Sequence, residues 1–403
     1  MNLPNIEIRY TPKEELTSRI SRFQQSLLEK DIDGALILQK ADLFYFSGTC
    51  QNAHLFIPAH GEPVLIVRKS LKRAKEESAL DNIITQHPKD MFKNIINLVG
   101  SKGRIGLEMD VLPAKLFLKY QSALSPLEVV DASNIIRKAR MIKSLYEIDR
   151  LRETARLNNL MFSEISNVLK EGITEVELAS KLESVYRING HQGAIRMRGF
   201  NQELFYGHLM SGWNLSYPSF FDGPTGGTGL NPSYPQSAGF KVIGRNEPVM
   251  VDYVGNLNGY MVDQARIFCI GSLPDKLVKA YDVALQIRDK VAEAAKPGVN
   301  GKDLFETAYN IAAKNGFQDH FMGYEDRISF IAHGIGIELD ELPVLAKNFD
   351  MVLQSGMVFA MEPKFIFPEE GAVGIEDTFV VTDEGLEQIS YFDDSIHCLP
   401  ILR

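Results

Sequence analysis

VMVDYVGNLNGYMVDQARIF, residues 249–268, reads as a β-hairpin: two runs rich in β-branched and aromatic residues flank Gly255-Asn256-Leu257-Asn258-Gly259, a turn-forming stretch. A turn centred between Leu257 and Asn258 places Asp252 directly opposite Asp263 on one face. Val249, Val251, Val262 and Ile267 around them imply a mostly buried sheet. Like charges directly opposed destabilise a sheet, so two carboxylates in such a place call for a cation. The alternative is a bulge that turns one of them to solvent.

A second acidic hairpin lies further on. In MVFAMEPKFIFPEEGAVGIEDTFVV (357–381), Pro368-Glu369-Glu370-Gly371 separates two apolar runs, and a turn near Glu369 sets Glu362 roughly opposite Glu376. Isolated buried carboxylates are costly, and two such hairpins in one chain reinforce the cation reading. Between them stands SFIAHGIGIELDELP (329–343). His333 follows an apolar strand and precedes Gly334 and Gly336, which let the backbone approach a ligand closely. A lone His in that setting is more often structural; beside four carboxylates it reads as a metal ligand. Imidazole plus carboxylates suits manganese, cobalt, zinc or iron, and the lack of thiolate partners argues against a purely structural zinc.

The remainder of the chain bounds these readings. Its 403 residues suggest two or three domains, and 45% hydrophobic with 24% charged residues is ordinary globular composition. A net charge of −9 carries no basic footprint, so no nucleic-acid partner is expected. No apolar run reaches the roughly 18 residues of a membrane span, and the first residues do not read as a signal peptide. Cys50, Cys269 and Cys398 are far apart in sequence, which suggests small buried hydrophobes in a reducing, cytoplasmic setting.

Residues 12–31 have helical periodicity. GALIL (34–38), DLFYF (42–46), HLFI (54–57), PVLIV (63–67) and IGLEM (105–109) read as strands of an α/β domain. A Ser144–Glu147 capping box opens a long helix where short strands give way to long helices. This gives a division into residues 1–142 and 143–403. Helices are expected near 145–170, 174–188, 275–295 and 302–315. The Gly- and Pro-rich FFDGPTGGTGLNPSYPQSAG (220–239) lacks the ending of a phosphate-binding loop and reads as a loop beside the active site.

The ordered set Asp252, Asp263, His333, Glu362 and Glu376, with VDYVGNLNGYMVDQARIF, AHGIGIELDELP, SGMVFAMEP and GIEDTFVVT around it, resembles the pita-bread metallopeptidases. These include the Xaa-Pro aminopeptidases, the Xaa-Pro dipeptidases or prolidases, and the methionine aminopeptidases. DGALILQKADLFYFSG, RIGLEMDVLP and IRKARMIKSLYEIDRLR are similar to the creatinase-type domain that precedes the Xaa-Pro enzymes. The resemblance implies an N-terminal creatinase-like α/β domain, then a pita-bread domain with a curved antiparallel sheet. It implies two divalent ions, Asp252 and Glu376 between them, Asp263 on one, His333 and Glu362 on the other. A hydroxide bridging the ions would attack the amide, with Glu362 as the catalytic proton carrier. A homodimer and a short peptide substrate are further implications.

Three positions depart from the proline-specific members. Their His shortly before the first Asp is missing from NPSYPQSAG (231–239), which has Tyr234, Pro235 and Gln236; the His expected ahead of Glu341 is Asp340; and the Arg two residues before the last ligand is Gly374. His208, Tyr234 and Asp340 are the candidate substrate-binding residues. Arg196 and Arg198 are candidates for a substrate carboxylate, with solvated surface as the alternative. The altered surroundings leave room for a small-molecule amide or amidine hydrolase on the same scaffold, and for a non-catalytic binding protein.

Overall fold

The computed structural model describes residues 8–324 and 327–401. They fall into two compact units: one runs to Arg140 and includes Arg198–Asn201, the other comprises Met141–Met197 and the residues from Gln202 onward.

The N-terminal unit is built on a mixed six-stranded sheet. Its strands are β1 (Gly34–Ile37), β2 (Ala53–Pro58), β3 (Val64–Val67), β4 (Ile83–Ile84), β5 (Arg104–Leu107) and β6 (Glu128–Asp131), in the order β4-β3-β2-β1-β5-β6. Antiparallel β1–β2–β3 adjoins parallel β1–β5–β6. The first helix, Lys13–Leu28, buries Leu16, Ile20, Phe23 and Leu27, the face its periodicity marks. DLFYF, expected as a strand, is instead part of helix Lys40–Ser47. The Gln39 side chain caps its start by accepting from the Asp42 amide, and Gly48, at φ +73°, ends it in the left-handed conformation. Ala41, Asp42 and Leu43 are fully buried, as are Tyr45 and Phe46 after the partly buried Phe44, so neither a helical nor a strand period shows. Arg198 is not a surface residue. It pairs with Asp42 at 2.7 Å and grips Asp110 through two nitrogens, while Arg140 takes the other Asp42 oxygen at 2.6 Å.

The C-terminal unit carries the acidic hairpins. Strands β7 (Gly207–Ser211), β8 (Val249–Leu257), β9 (Tyr260–Ile270) and, closing the chain, β17 (His397–Leu399) form a sheet in the order β17-β9-β8-β7. A second sheet has the order β11-β10-β12-β15-β16. It comprises β10 (Phe330–Ile335), β11 (Leu339–Ala346), β12 (Val358–Met361), β15 (Asp377–Thr382) and β16 (Gly385–Gln388). Strands β13 (Lys364–Phe367) and β14 (Gly371–Gly374) pair with each other. Neighbours are antiparallel except β9 and β17. Helices Leu145–Val168, Glu175–Ile188, Asp275–Ala294 and Gly301–Lys314 match the periodicity, and Ser144 and Glu147 form the expected capping box.

The first hairpin turns one residue later than the sequence reading places it, which shifts its pairing register by two. Leu257 pairs with Tyr260, Asp252 with Ala265, and Val254 with Asp263. The turn sits on Asn258 (φ +51°) and Gly259 (φ +85°), the Asn-Gly pair that tolerates two left-handed residues in succession. Asp252 and Asp263 are therefore diagonal neighbours on one face, not directly opposed. In the second hairpin the expected register holds along its whole length, from Val358 opposite Val380 to Phe367 opposite Gly371.

The cysteines are not all isolated hydrophobes. Cys269 of β9 and Cys398 of β17 are register partners with sulfurs 3.1 Å apart, and Cys398 is exposed. Among the described residues no helix is long and apolar enough to cross a membrane.

Gly255 lies where helix Leu145–Val168 meets β8. A Cβ there would stand 1.9 Å from Asn158 Oδ1, and Asn158 accepts from the buried Tyr186 hydroxyl. Gly255→Ala is expected to lose about 1–3 kcal/mol of stability through overpacking, read as a lower denaturant midpoint at unchanged slope.

Candidate functional site

The five residues singled out in the sequence converge on one cavity of about 430 Å³. Asp252 comes from β8, Asp263 from β9 and His333 from β10. Glu362 and Glu376 occupy the junction where the second hairpin leaves the five-stranded sheet and becomes the β13–β14 pair. At that junction the Glu376 backbone bonds to Ala265 of β9, and the Glu362 amide donates to Ile331 of β10, so strand pairing fixes where both carboxylates start. All five side chains are buried. His333 Nε2 lies 3.9 Å from Asp263 Oδ2, 3.9 Å from Glu362 Oε1 and 3.6 Å from Glu376 Oε1.

A sixth group, absent from the sequence reading, completes the cluster. Lys364 Nζ donates to Asp252 Oδ2 at 2.7 Å, Glu362 Oε2 at 2.7 Å and Glu376 Oε2 at 2.8 Å, and the side chain is 1% exposed. Glu362 and Glu376 thus divide their oxygens, one facing His333 and the other Lys364. The signal was available: Lys364 is two residues after Glu362, hence on the same strand face, in an otherwise apolar run. Its cross-strand partner is Gly374. A Cβ on Gly374 would stand 2.5 Å from Lys364 Cγ, 2.6 Å from the Pro363 carbonyl oxygen and 2.7 Å from Lys364 Cα, so the position where the family resemblance led one to expect Arg is bare because the paired backbone, together with the lysine stem, runs too close for any side chain.

Burial and mutual repulsion shape the charge states. Burial lifts Asp252 to about 6 and Glu362 to about 7, each against the pull of the Lys364 ammonium. Burial, then the Glu376 and Asp252 charges, hold Asp263 well above the ordinary carboxylate range. Burial would raise Glu376 as well, but Lys364 and His333 hold it down to about 2. His333 and Lys364 are raised, despite burial, by the carboxylates beside them. The cluster retains protons that a divalent cation would displace.

One cation position fits such an ion. Asp263, His333 and Glu376 each offer a ligand atom, all within 4.8 Å of one another, and the oxygen–nitrogen donor set suits manganese, cobalt, zinc or iron. The space among Asp252, Glu362 and Glu376 does not, because Lys364 Nζ fills it.

The three substrate-binding candidates separate. His208 lines the cavity on β7, as the register partner of Asp252. Burial pushes it down to about 4, and it approaches Gln236 Oε1 at 3.4 Å and Thr225 Oγ1 at 3.5 Å. Asp340 lines the cavity too, at φ +64°, with Oδ1 3.3 Å from His333 Nδ1. It orients the imidazole so that Nε2 faces the carboxylates. Tyr234 does not line the cavity; it bonds to the Phe205 backbone and to Gln236, in a turn closed against Asn231. Gln236 is fully buried and donates to the Glu203 carbonyl at 2.6 Å, so it braces His208 from behind. Phe221 to Thr225, from the Gly- and Pro-rich loop, form one cavity wall. Gly334 answers a need within the sheet, not a ligand: a Cβ there would stand 2.4 Å from the Leu342 backbone.

A second unanticipated residue is Arg266, fully buried on β9. It donates to the Ala265 carbonyl at 2.8 Å, the Glu376 carbonyl at 3.0 Å and the Asp377 carboxylate at 2.9 Å, clamping the strand junction that presents Glu376.

Comparison with known proteins agrees with this geometry. Residues 149–383 match metallopeptidase family M24, and residues 19–142 match the creatinase/prolidase N-terminal domain. An Xaa-Pro dipeptidase of Pyrococcus furiosus is 26% identical over 377 residues, covering 93% of this chain and 98% of its own. An uncharacterized peptidase of Bacillus subtilis is 27% identical over 363 residues, 89% of this chain and 94% of its own. The solved Xaa-Pro dipeptidase from Bacillus anthracis superposes with a TM-score of 0.82 at 25% identity, covering 95% of this chain and all of that one.

The Lys364–Gly374 contact is directly testable. Gly374→Ala forces its new methyl against Lys364 Cγ and to 2.6 Å from the Pro363 carbonyl. The expected result is a loss of about 1–3 kcal/mol in chemical denaturation; an unchanged midpoint would show that the lysine stem has room to move.

Proposed function

Since this chain belongs to metallopeptidase family M24, we propose that it is a metal-dependent hydrolase of short peptides, dipeptides above all, that cleaves the amide bond between an N-terminal residue and a following proline. The observation that carries this reading is the meeting of Asp252, Asp263, His333, Glu362 and Glu376 in one buried cavity. The names of the relatives, Xaa-Pro dipeptidases matched over nearly their full length, support the proline preference. So does the cavity lining: Leu204, Val254, Phe330 and Leu339 give an apolar wall suited to a pyrrolidine ring.

Asp263, His333 and Glu376 would hold a divalent ion, which supplies Lewis-acid polarisation of the scissile carbonyl when bound. The protein's own groups do the rest. Glu362, titrating near neutrality and facing the cavity, accepts a proton from the attacking water and returns it to the leaving amine. Neutral His208, its ring nitrogens facing Gln236 and Thr225, gives the cavity an uncharged aromatic surface on the β7 side. Asp340 keeps His333 aimed at the carboxylates. Phe221 to Thr225 limit solvent access along one side. A homodimeric, cytoplasmic working form belongs to the same proposal, on the family resemblance and the free cysteines.

A second reading, hydrolysis of small cyclic or N-acylated amides, is favoured by one observation. Gln236, Asp340 and Gly374 serve the architecture of the site, and none supplies the substrate-facing group expected at its position.

Manganese-loaded protein assayed on dipeptides with proline or alanine second decides between them. Proline is expected to be required. Turnover confined to cyclic or N-acylated amino acids would transfer the assignment to the second reading. Glu362→Gln is expected to lower kcat by about 10²–10⁴-fold with far-UV circular dichroism unchanged, and Asp263→Ala, which removes a ligand of the ion, to abolish turnover. Full activity in either variant would remove the residue from the mechanism.

A further inference from the structure

We infer that Lys364 permanently occupies the place of a second cation, so that this chain binds a single divalent ion, at Asp263, His333 and Glu376. The inference rests on reading the cluster as a metal centre and concerns its stoichiometry. The geometry is that of a cation site already filled. Three carboxylate oxygens from β8 and from both arms of the second hairpin converge on Nζ at 2.7, 2.7 and 2.8 Å. Each would be a ligand atom for an ion at that point.

Lys364 has no easy route out. Strand pairing with Gly374 fixes its Cα, and its amide and carbonyl are held by Met322, the amide by the sulfur at 3.4 Å and the carbonyl by the amide at 3.0 Å. Lys364 opens β13 two residues after Glu362, and its side chain leaves the backbone on the side of the carboxylates, as its three hydrogen bonds show. Gly374 opposite it leaves room for the first carbons of the stem, and a side chain there would meet Lys364 Cγ at 2.5 Å as well as the Pro363 and Lys364 backbone.

Charge counting agrees. The four carboxylates carry −4. One divalent ion and one ammonium contribute +3, leaving −1 with His333 neutral as a ligand. A second divalent ion would have to share the same three oxygens with an ammonium already bonded to them, and like charges at that range repel strongly where water is excluded. The Glu362 and Glu376 oxygens on the other side face His333 and stay available to the single ion. The ammonium holds the remaining carboxylate oxygens in place without exchanging with solution. The chain thereby keeps the electrostatic frame of a two-cation site while depending on only one dissociable ion.

Metal-depleted full-length protein loaded with manganese(II) alone tests this. After removal of free metal, elemental analysis is expected to give one manganese per chain, and the electron paramagnetic resonance spectrum the six-line pattern of an isolated ion. Lys364→Gly is expected to take up two ions per chain and to show exchange coupling between them. Lys364→Ala serves as the second variant, and the wild-type measurement stands even if neither variant folds. Two ions per chain in the wild type, or a coupled spectrum, would overturn the inference and leave the peptidase reading intact. A folded Lys364→Gly that still takes only one ion would overturn the role given to the lysine. A wild type that binds none would sink the one-ion site, and dipeptide turnover by the same sample would show whether the peptidase reading falls with it.

Discussion

Four carboxylates buried within reach of one imidazole and one ammonium impose a constraint that the rest of the C-terminal unit answers. Taking any one of them out of water unpaired is expensive, and the cluster is stable only while cations stay among them. Lys364 provides one cation covalently. The remaining deficit appears as raised proton affinity on Asp252, Asp263 and Glu362. A site whose carboxylates keep protons up toward the neutral range is also one from which a divalent ion expels them, which ties metal affinity to pH.

Holding these groups in register falls to strand pairing more than to side-chain packing. Arg266 illustrates this: its guanidinium, on β9, bonds to backbone carbonyls of both β9 and the Glu376 junction and to the carboxylate of Asp377 next door. Thr378 does the same for Asp263, whose amide donates to its hydroxyl at 3.1 Å and whose carbonyl accepts from it at 2.9 Å. Asp340 in turn pins His333 from outside. Each functional side chain thus begins from a backbone tied to a neighbouring strand. This is the support that keeps like charges from drifting apart.

What the sequence made legible follows from the same physics. The two acidic hairpins were readable because alternation and turn residues survive in the primary structure, and the Glu362–Glu376 register was right to the residue. The register of the first hairpin was missed by two positions because the Asn258-Gly259 pair, which tolerates two consecutive positive φ angles, was not given its weight. The helix Lys40–Ser47 escaped because it is buried on several successive positions and so has no polar face to reveal its period. Tyr234 and Gln236 were placed by analogy of position. Their actual directions depend on hydrogen bonds to Phe205 and Glu203, distant in the chain, which no local pattern encodes.

Lys364 and Gly374 show why such a pair resists detection one residue at a time. A lysine in an apolar strand reads as an oddity, and a glycine where an arginine was expected reads as a loss. The cross-strand register brings them together, since a side chain on the second would meet the stem of the first as well as the Pro363 and Lys364 backbone. It also explains how a scaffold that surrounds metal with carboxylates tolerates an ammonium among them. The lysine opens β13 just beyond the junction that presents Glu362 and Glu376, and from there its Nζ reaches oxygens of both and of Asp252. A cation delivered this way is fixed in number and position by the chain itself, whereas a bound ion is fixed only by its affinity.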